Sequence, residues 1–266
     1  MGRVNVTRIS FITAACVLLA GALSANGQSY PSRPVRILTA ETGGGSMRDS
    51  TPYAVNDFAP VSMLVTAPAI LVVHPGVPAQ SVQELLVIAR AKPGMLNYAS
   101  GPLGATPHLA GELFKAMSGV DIVHIPFKGV GLALNDVIAG RVHIMFSSTG
   151  SSSQHVKAGR LRALAVTSTR PSALMPGVPT LASAGLPGYE IAGMFGVFVP
   201  ARTPAPVTTR LYQEIAASLQ SAEVRERFTA IGVEIVGSTP AEFAATIRSE
   251  MNRLGKVIRE RGIRAQ

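Results

Sequence analysis

Residues 96–114 read LNYASGPLGATPHLAGELF, and the hydrophobic pattern changes twice within this stretch. Residues 96–100 are typical of a short strand, and the Gly- and Pro-containing segment behind them predicts a loop. Thr106 predicts the N-cap of a helix, with Pro107 at the first helical position. Three apolar side chains follow at helical spacing: Leu109, Leu113 and Phe114. Strand, loop and helix in this order predict one unit of a layered α/β fold.

Strands and helices alternate along the rest of the chain in the same way. Further strands are predicted over 35–40, 69–73, 122–126, 143–146, 163–168 and 195–199. Capping boxes predict helices that begin at Ser81 and Thr239, and other helical patterns begin near Leu132 and Val207. Strands separated by helices imply α/β layers with a mostly parallel sheet. No internal repeat is visible.

Residues 1–27 have the order of charged, apolar and small residues that is typical of a cleaved signal peptide. Arg3 and Arg8 precede an apolar run over 9–23, and small residues precede the expected cut. The run is short for a membrane anchor, which is the alternative interpretation. Cleavage would deliver the chain to the periplasm, remove its single cysteine, Cys16, and leave a net charge of about +7.

The composition excludes several classes of protein. Hydrophobic residues make up 47% and charged residues 15% of the 266 residues, which excludes a disordered or coiled-coil chain. One cysteine excludes a disulfide framework and a cysteine-based zinc site, and the five histidines show no metal-binding spacing. The net charge of +9 raises nucleic acid as a partner. Since the basic residues are spread along the chain without aromatic interleaving, we expect a solvated basic surface and no nucleic acid.

Three Gly- and Ser-rich segments follow predicted strands, at 43–46, 100–106 and 147–153. In parallel α/β sheets, ligands bind at the carboxyl ends of the strands. Glycine lets backbone N–H groups approach a ligand, and helix N-termini favour anions. None of the three segments offers the nucleophile and base that an enzyme needs. The residues are therefore consistent with a binding site for a small anion, such as a carboxylate, or with ordinary α/β turns.

Many short motifs of this chain resemble those of the Bug family, the periplasmic substrate-binding proteins of tripartite tricarboxylate transporters. The motifs together cover nearly all of 30–262. They are YPSRPVR (30–36), DFAPVS (57–62), KPGMLNYAS (92–100), HLAGELF (108–114), PFKG (126–129), AGRV (139–142), AGRLRALA (158–165), PTL (179–181), GLPGY (185–189), VE (233–234) and GSTP (237–240).

The resemblance implies an α/β fold of the periplasmic binding protein type II class, a two-domain Venus flytrap. Domain 1 would be discontinuous, from 30–73 and 200–266, and domain 2 would be 74–199. The family binds small carboxylates in the cleft through backbone amides, hydroxyls and bridging waters, without a metal, a cofactor or catalytic residues. The candidate ligand-binding residues lie in or just beyond these three segments and in the loop after the predicted strand over 122–126: Gly43, Gly44, Gly45, Ser46, Ser100, Gly101, Gly104, Ala105, Thr106, His108, Lys128, Gly129, Ser147 and Ser148.

The chain departs from the family pattern at three places. After 43–46, an α/β segment is missing, because 51–54 already matches the region before the DFAPVS motif. The first domain is therefore expected to be truncated, with apolar surface and a sheet edge exposed. Met47 stands where the family has an acid. Ser147 also stands where many relatives have an acid that could pair with an amino group, which favours dicarboxylates and tricarboxylates over amino acids.

The main hypothesis is a monomeric periplasmic solute-binding protein that delivers a small carboxylate to membrane transporter subunits by cleft closure. A second hypothesis is a degenerate or regulatory paralogue that does not close on a ligand and meets a periplasmic sensor instead. A third is a secreted hydrolase, against which the lack of a nucleophile–base motif argues. The missing segment is the feature that separates the first two hypotheses.

Overall fold

The computed structural model describes residues 54–260 and 262–263. The predicted signal peptide, the strand over 35–40, the loop over 43–46 and the departures at 47–53 lie outside the described residues. The division into domains at 73/74 and 199/200 stays a prediction.

A single long strand, β1 (Phe58–Val73), organises the fold. Its first half pairs with one set of strands, up to Pro68, and its second half pairs with another set from Ala69 onward. Proline lacks the N–H that a ladder hydrogen bond requires, so Pro68 suits the point at which β1 changes partners. The residues from 69 to 73 were predicted as a strand, and the structure confirms this and extends it to Phe58.

The second half of β1 lies inside a five-stranded path with the order β3-β2-β4-β1-β5. The other strands of this path are β2 (Asn97–Ser100), β3 (Val123–Pro126), β4 (Ile144–Ser148) and β5 (Arg162–Val166). β2 pairs parallel with β3 and β4, whereas β1 pairs antiparallel with β4 and β5. The prediction of a mostly parallel sheet is therefore wrong: the sheet is mixed, because β1 runs against its neighbours.

Four helices cover the two faces of this sheet. They are α1 (Val82–Ala91), α2 (Thr106–Ser118), α3 (Val130–Ile138) and α4 (Thr149–Lys157). α1 and α2 pack on one face, over a core that includes Leu71, Tyr98 and Phe146. α3 and α4 pack on the other face, around Val72 and Met145. Three layers of this kind bury apolar side chains on both sides of the central strands.

The first half of β1 carries a smaller antiparallel set of strands, β6 (Ala192–Pro200) and β7 (Glu234–Ile235). The C-terminal helices are α5 (Ala205–Leu219), α6 (Ala222–Ala230) and α7 (Pro240–Glu260). α7 covers β6 through Phe243, whose ring lies 5.0 Å from that of Phe198. No helix in the described part of the chain combines the length and apolarity that crossing a bilayer demands.

Of the seven helices in the described residues, five begin within two residues of the predicted start, and two, α4 and α6, were not predicted. The Ser81 hydroxyl accepts the Glu84 N–H, as the capping box predicted, although the Glu84 carboxylate accepts from the Gln80 N–H. The N-cap of α2 is Ala105, not Thr106, which is instead the first helical residue. The segment 147–153 is not a loop: β4 continues to Ser148, and α4 starts at the next residue.

Candidate functional site

The carboxyl ends of three parallel strands, β2, β3 and β4, lie at one edge of the sheet. Ser100 pairs with Pro126, and Tyr98 pairs with Ile144, so the three strands end side by side. A helix follows each strand within a few residues: α2, α3 and α4, respectively. We call this edge, made of residues 100–106, 126–130 and 147–150, the loop edge.

Close contacts hold the segments of the loop edge together. The Phe127 N–H donates to the Ser100 carbonyl at 2.9 Å. A Cβ at Gly101 would lie 3.0 Å from Val130 Cγ2 and 3.5 Å from the Val130 nitrogen, so the β2–α2 loop passes directly over the start of α3. Glycine at this position permits that approach.

The point at which β1 changes partners also lies at the loop edge. The Thr149 hydroxyl donates to the Pro68 carbonyl at 3.4 Å. The Thr106 Oγ1 lies 3.5 Å from the place of a Cβ on Gly193, at the start of β6. The start of α4 abuts the turn after α6, because a Cβ on Gly150 would collide with the Ile231 carbonyl. The start of β6 and the turn after α6 therefore lie directly against the loop edge.

The electrostatics of the loop edge favour an anion. The first N–H groups of α2, α3 and α4 have no acceptor within their own helices, and each helix start carries partial positive charge. At α4, the Ser148 hydroxyl caps the Ser151 N–H at 3.3 Å. The N-caps of α2 and α3 are Ala105 and Gly129, which provide no side-chain acceptor. Lys128, exposed in the segment 126–130, adds a full positive charge.

The two serines predicted from β4 have different surroundings. Ser147 is completely buried beneath α4, where its hydroxyl lies 3.2 Å from that of Ser151. Ser148 is exposed and sits at the end of the strand. Because side chains alternate along a strand, only one of the two hydroxyls reaches the open side.

His108 lies one helical turn behind the β2–α2 loop rather than in it. Its ring is 4% exposed, and its Nδ1 accepts the Gly104 N–H at 3.0 Å. The His124 ring stands 4.4 Å away, and its Nε2 lies 2.7 Å from the Ser100 hydroxyl. Burial lowers the pKa of His108, and burial together with the nearby His108 lowers the pKa of His124 to about 4.

Most of the predicted site residues in the described part of the chain meet at the loop edge. They are Ser100, Gly101, Gly104, Ala105, Thr106, Lys128, Gly129, Ser147 and Ser148. His108 lies behind this group, and Gly43, Gly44, Gly45 and Ser46 fall outside the described residues. Four further residues lie at this edge but were not predicted from the sequence as site residues: Val130, Thr149, Gly150 and Gly193. Val130 could have been predicted, because Gly129 before it separates a predicted strand from an apolar helical pattern. Gly193 could not, because it comes from a distant part of the chain.

Within residues 54–260 and 262–263, no three His, Cys, Asp or Glu side chains are placed to hold a metal ion. The chemistry that the described edge offers is hydrogen-bond donation from backbone and hydroxyl groups, together with a lysine charge. Donors of this kind suit the oxygens of a carboxylate.

Comparison with known proteins shows the family to which the chain belongs. The family described as "tripartite tricarboxylate transporter family receptor" matches residues 41–263. The chain belongs to this receptor family. BugT of Bordetella pertussis is 36% identical over 220 residues, which are 82% of this chain and 68% of BugT. The resemblance to the Bug family is thereby confirmed.

The receptor covers only part of some relatives. A UPF0065 protein from the tcbD–tcbE intergenic region of a Pseudomonas strain is 39% identical over 211 residues. These are 79% of this chain but 63% of the relative, so the receptor spans less than two thirds of that protein's length.

Solved structures confirm the fold class. An R. palustris protein solved with adipate is 36% identical, with a TM-score of 0.73 over 82% of this chain and 73% of that chain. The periplasmic binding protein BugD is 25% identical, with a TM-score of 0.71 over 83% and 75% of the two chains. MatC from Rhodopseudomonas palustris, with bound malate, is 26% identical, with a TM-score of 0.68 over 77% and 71%. The chain therefore has the α/β fold of the periplasmic binding proteins in its family.

Proposed function

We propose that this receptor is a monomeric periplasmic protein that captures a small dicarboxylate or tricarboxylate at the loop edge and delivers it to the membrane subunits of a tripartite tricarboxylate transporter. The observation that carries the proposal is the meeting of three helix N-termini at one edge of the sheet. Adipate and malate, bound in two of the related structures, are both small dicarboxylates. No nucleic acid or cofactor is part of the proposal.

One carboxylate would accept hydrogen bonds from the start of α2, including the Thr106 hydroxyl. Because Ala105 is the N-cap, the Thr106 hydroxyl is not used to cap its own helix. The N–H groups at the start of α3, with Lys128 beside them, would serve the same anion. The exposed Ser148 would contact the ligand, whereas Ser147 would support α4 from beneath.

The Gly43–Gly44–Gly45–Ser46 segment would complete the site from the other domain, as the family resemblance implies. Closure of the domains over 30–73 with 200–266 and over 74–199 would then enclose the ligand.

The hydrolase alternative depends on the hydroxyl–imidazole pair of Ser100 and His124, which are 2.7 Å apart. Such a pair can act as nucleophile and base when the hydroxyl reaches the substrate. Ser100 is 0% exposed, and its hydroxyl also contacts the Gly101 carbonyl at 2.9 Å. We therefore propose a binding protein without turnover.

Thr106 provides the test of the proposed ligand site. We expect Thr106→Ala to weaken adipate binding about five- to tenfold, because one hydrogen bond to a charged group is lost. Isothermal titration calorimetry measures the change, and Thr209→Ala, an exposed threonine on α5, is the matched control with unchanged affinity. Equal affinity of Thr106→Ala and Thr209→Ala would place the carboxylate elsewhere.

A further inference from the structure

A group of buried polar side chains lies directly behind the β2–α2 loop. Two of its contacts end on the loop backbone: the Gly104 N–H donates to His108 Nδ1 at 3.0 Å, and the Ser100 hydroxyl donates to the Gly101 carbonyl at 2.9 Å. Ser100 is in turn held by His124, with Nε2 and Oγ 2.7 Å apart. His108 is therefore hydrogen-bonded directly to the loop at Gly104, and His124 is connected to the loop at Gly101 through Ser100.

The turn itself is of a defined kind. The Ala105 N–H donates to the Pro102 carbonyl at 3.1 Å, which closes a four-residue turn. Gly104, its third residue, has a φ of +78°, as a type II turn requires. The His108 bond fixes the amide of this glycine, and Thr106 follows two residues later. A change at His108 would therefore alter the direction in which the Thr106 hydroxyl and N–H point.

The hydrogen bonds determine where the imidazole protons are. His108 Nδ1 accepts from the Gly104 N–H, so it carries no proton, and the neutral ring must have its proton on Nε2. The Ser100 hydroxyl has one proton, and when this proton goes to the Gly101 carbonyl, His124 Nε2 is the donor to the Ser100 oxygen. Protonation of His108 at Nδ1 would bring an N–H against the Gly104 N–H and end that bond.

The charged and titratable groups facing His108 are Glu112 and Lys115 on α2 and His124 on β3. Tyr98 on β2 stacks on His124. Glu112 accepts the Tyr98 hydroxyl at 2.7 Å and lies 3.4 Å from Lys115 Nζ, so its charge is already shared with two partners. Burial is the largest influence on the pKa of His108 and lowers it, which keeps the ring neutral near pH 7.

We propose that neutral His108 is a positioning residue that fixes the β2–α2 loop for carboxylate binding through its unprotonated Nδ1, and that uptake of a proton at Nδ1 frees the loop and releases the ligand. The inference rests on the proposed function, because it concerns regulation of the same site. Since the pKa of His108 lies below its ordinary value of 6.5, the loop is fixed at neutral pH and freed only as the pH falls below that value.

Three variants test the proposal with adipate as the probe. His108→Leu removes the acceptor and is expected to weaken binding about tenfold at pH 7.5. His108→Asn keeps an oxygen acceptor near the position of Nδ1 and is expected to restore affinity to within about threefold of the wild type. His143→Leu is the matched control, because the Asn97 N–H donates to His143 Nδ1 at 3.2 Å, at the end of β2 opposite the loop edge.

The pH profile separates a positioning role from a merely structural one. Adipate takes up protons in acid as well, so the wild type and His108→Asn are compared at each pH between 7.5 and 4.5. The wild type should lose affinity more steeply than His108→Asn, which cannot be protonated in this range. Parallel profiles for the two proteins, or His108→Leu with wild-type affinity, would overturn the proposal.

A measurement without ligand distinguishes this inference from the proposed function. In nitrogen-15 NMR spectra of the imidazole rings, His108 should be the Nε2–H tautomer, and the Gly104 amide shift should follow its titration. A His108 proton on Nδ1 at pH 7.5 would refute the loop-fixing role even if adipate binds. If the expected tautomer and titration are observed but no carboxylate binds the wild type, the proposed function fails and the regulation of binding fails with it, while the His108–Gly104 contact stands.

Discussion

Gly111 is the residue at which helix α2 comes closest to the sheet. A Cβ placed there would overlap the ring of Tyr98, which is fully buried and donates its hydroxyl to Glu112 at 2.7 Å. We expect Gly111→Ala to lower the free energy of unfolding by about 2 kcal/mol, because an overpacked core forces side chains or backbone to move. Urea unfolding followed by circular dichroism measures the change.

Gly255 on α7 is the matched control for this prediction. Its added Cβ would meet only the end of the flexible Arg259 side chain, at 3.4 Å, so alanine there should raise stability by up to about 1 kcal/mol through helix propensity. A Gly111→Ala protein as stable as the wild type would show that α2 does not rest on Tyr98 as described.

At the residue scale, the sequence predicted which residues meet at the loop edge better than it predicted the direction of each side chain. Thr106, Ser148 and Lys128 were predicted as site residues and lie there. The pattern could not show that Ser147 points under α4, because the length of β4 decides which of two adjacent serines is buried. It also could not show that His108 holds Gly104, since a contact over four residues depends on the turn between them.

The start of α7 is the clearest case of a helix signal at the scale of an element. The Thr239 hydroxyl accepts the Glu242 N–H at 3.3 Å, and the Glu242 carboxylate accepts the Thr239 N–H at 2.8 Å, which is a complete capping box. The hydrogen bonds that the Glu242 carboxylate accepts from the Thr239 N–H and from the Thr239 hydroxyl lower the pKa of Glu242. We expect Thr239→Ala to cost about 1 kcal/mol of stability in urea unfolding.

Thr246 lies two turns further along α7 and supplies the control. Its hydroxyl bonds back to the Glu242 carbonyl at 3.0 Å within the helix, so Thr246→Ala should be neutral or stabilising by a few tenths of a kcal/mol. Equal losses in both variants would mean that the hydroxyl at Thr239 has no special capping role.

Strand β1 shows what local patterns could not predict about the elements. Its residues from 69 to 73 form an apolar run that predicts a strand, but Pro60 and Pro68 interrupt the pattern before it. Both prolines are accommodated, since the pairing with β6 shifts between Pro60 and Ser62, and Pro68 lies where the partners change. The antiparallel direction of β1 depends on partners far along the chain. The strand over 69–73 could therefore be predicted from the sequence, but its direction in the sheet could not.

At the scale of the whole molecule, the family resemblance predicted the fold that the structural neighbours confirm. The described residues leave apolar side chains exposed on β6, where Phe195 is 56% exposed. The proposed truncation of the first domain stays a prediction, because the segment in question lies outside the described residues. The net charge, +9 for the whole sequence and about +7 after the expected cleavage, agrees with the proposal, since a basic surface attracts an anionic ligand over a distance.

Ligand-dependent thermal unfolding tests whether this protein binds a small dicarboxylate. The protein is unfolded with adipate, malate or citrate, and with 1,6-diaminohexane as a control of similar length and opposite charge. A ligand that binds only the folded state stabilises it by about 2.7 kcal/mol at one hundred times its Kd. We predict a Tm that rises with the concentration of at least one carboxylate and does not change with the diamine. A cooperative transition that none of the carboxylates shifts would contradict the account and favour a degenerate or regulatory paralogue.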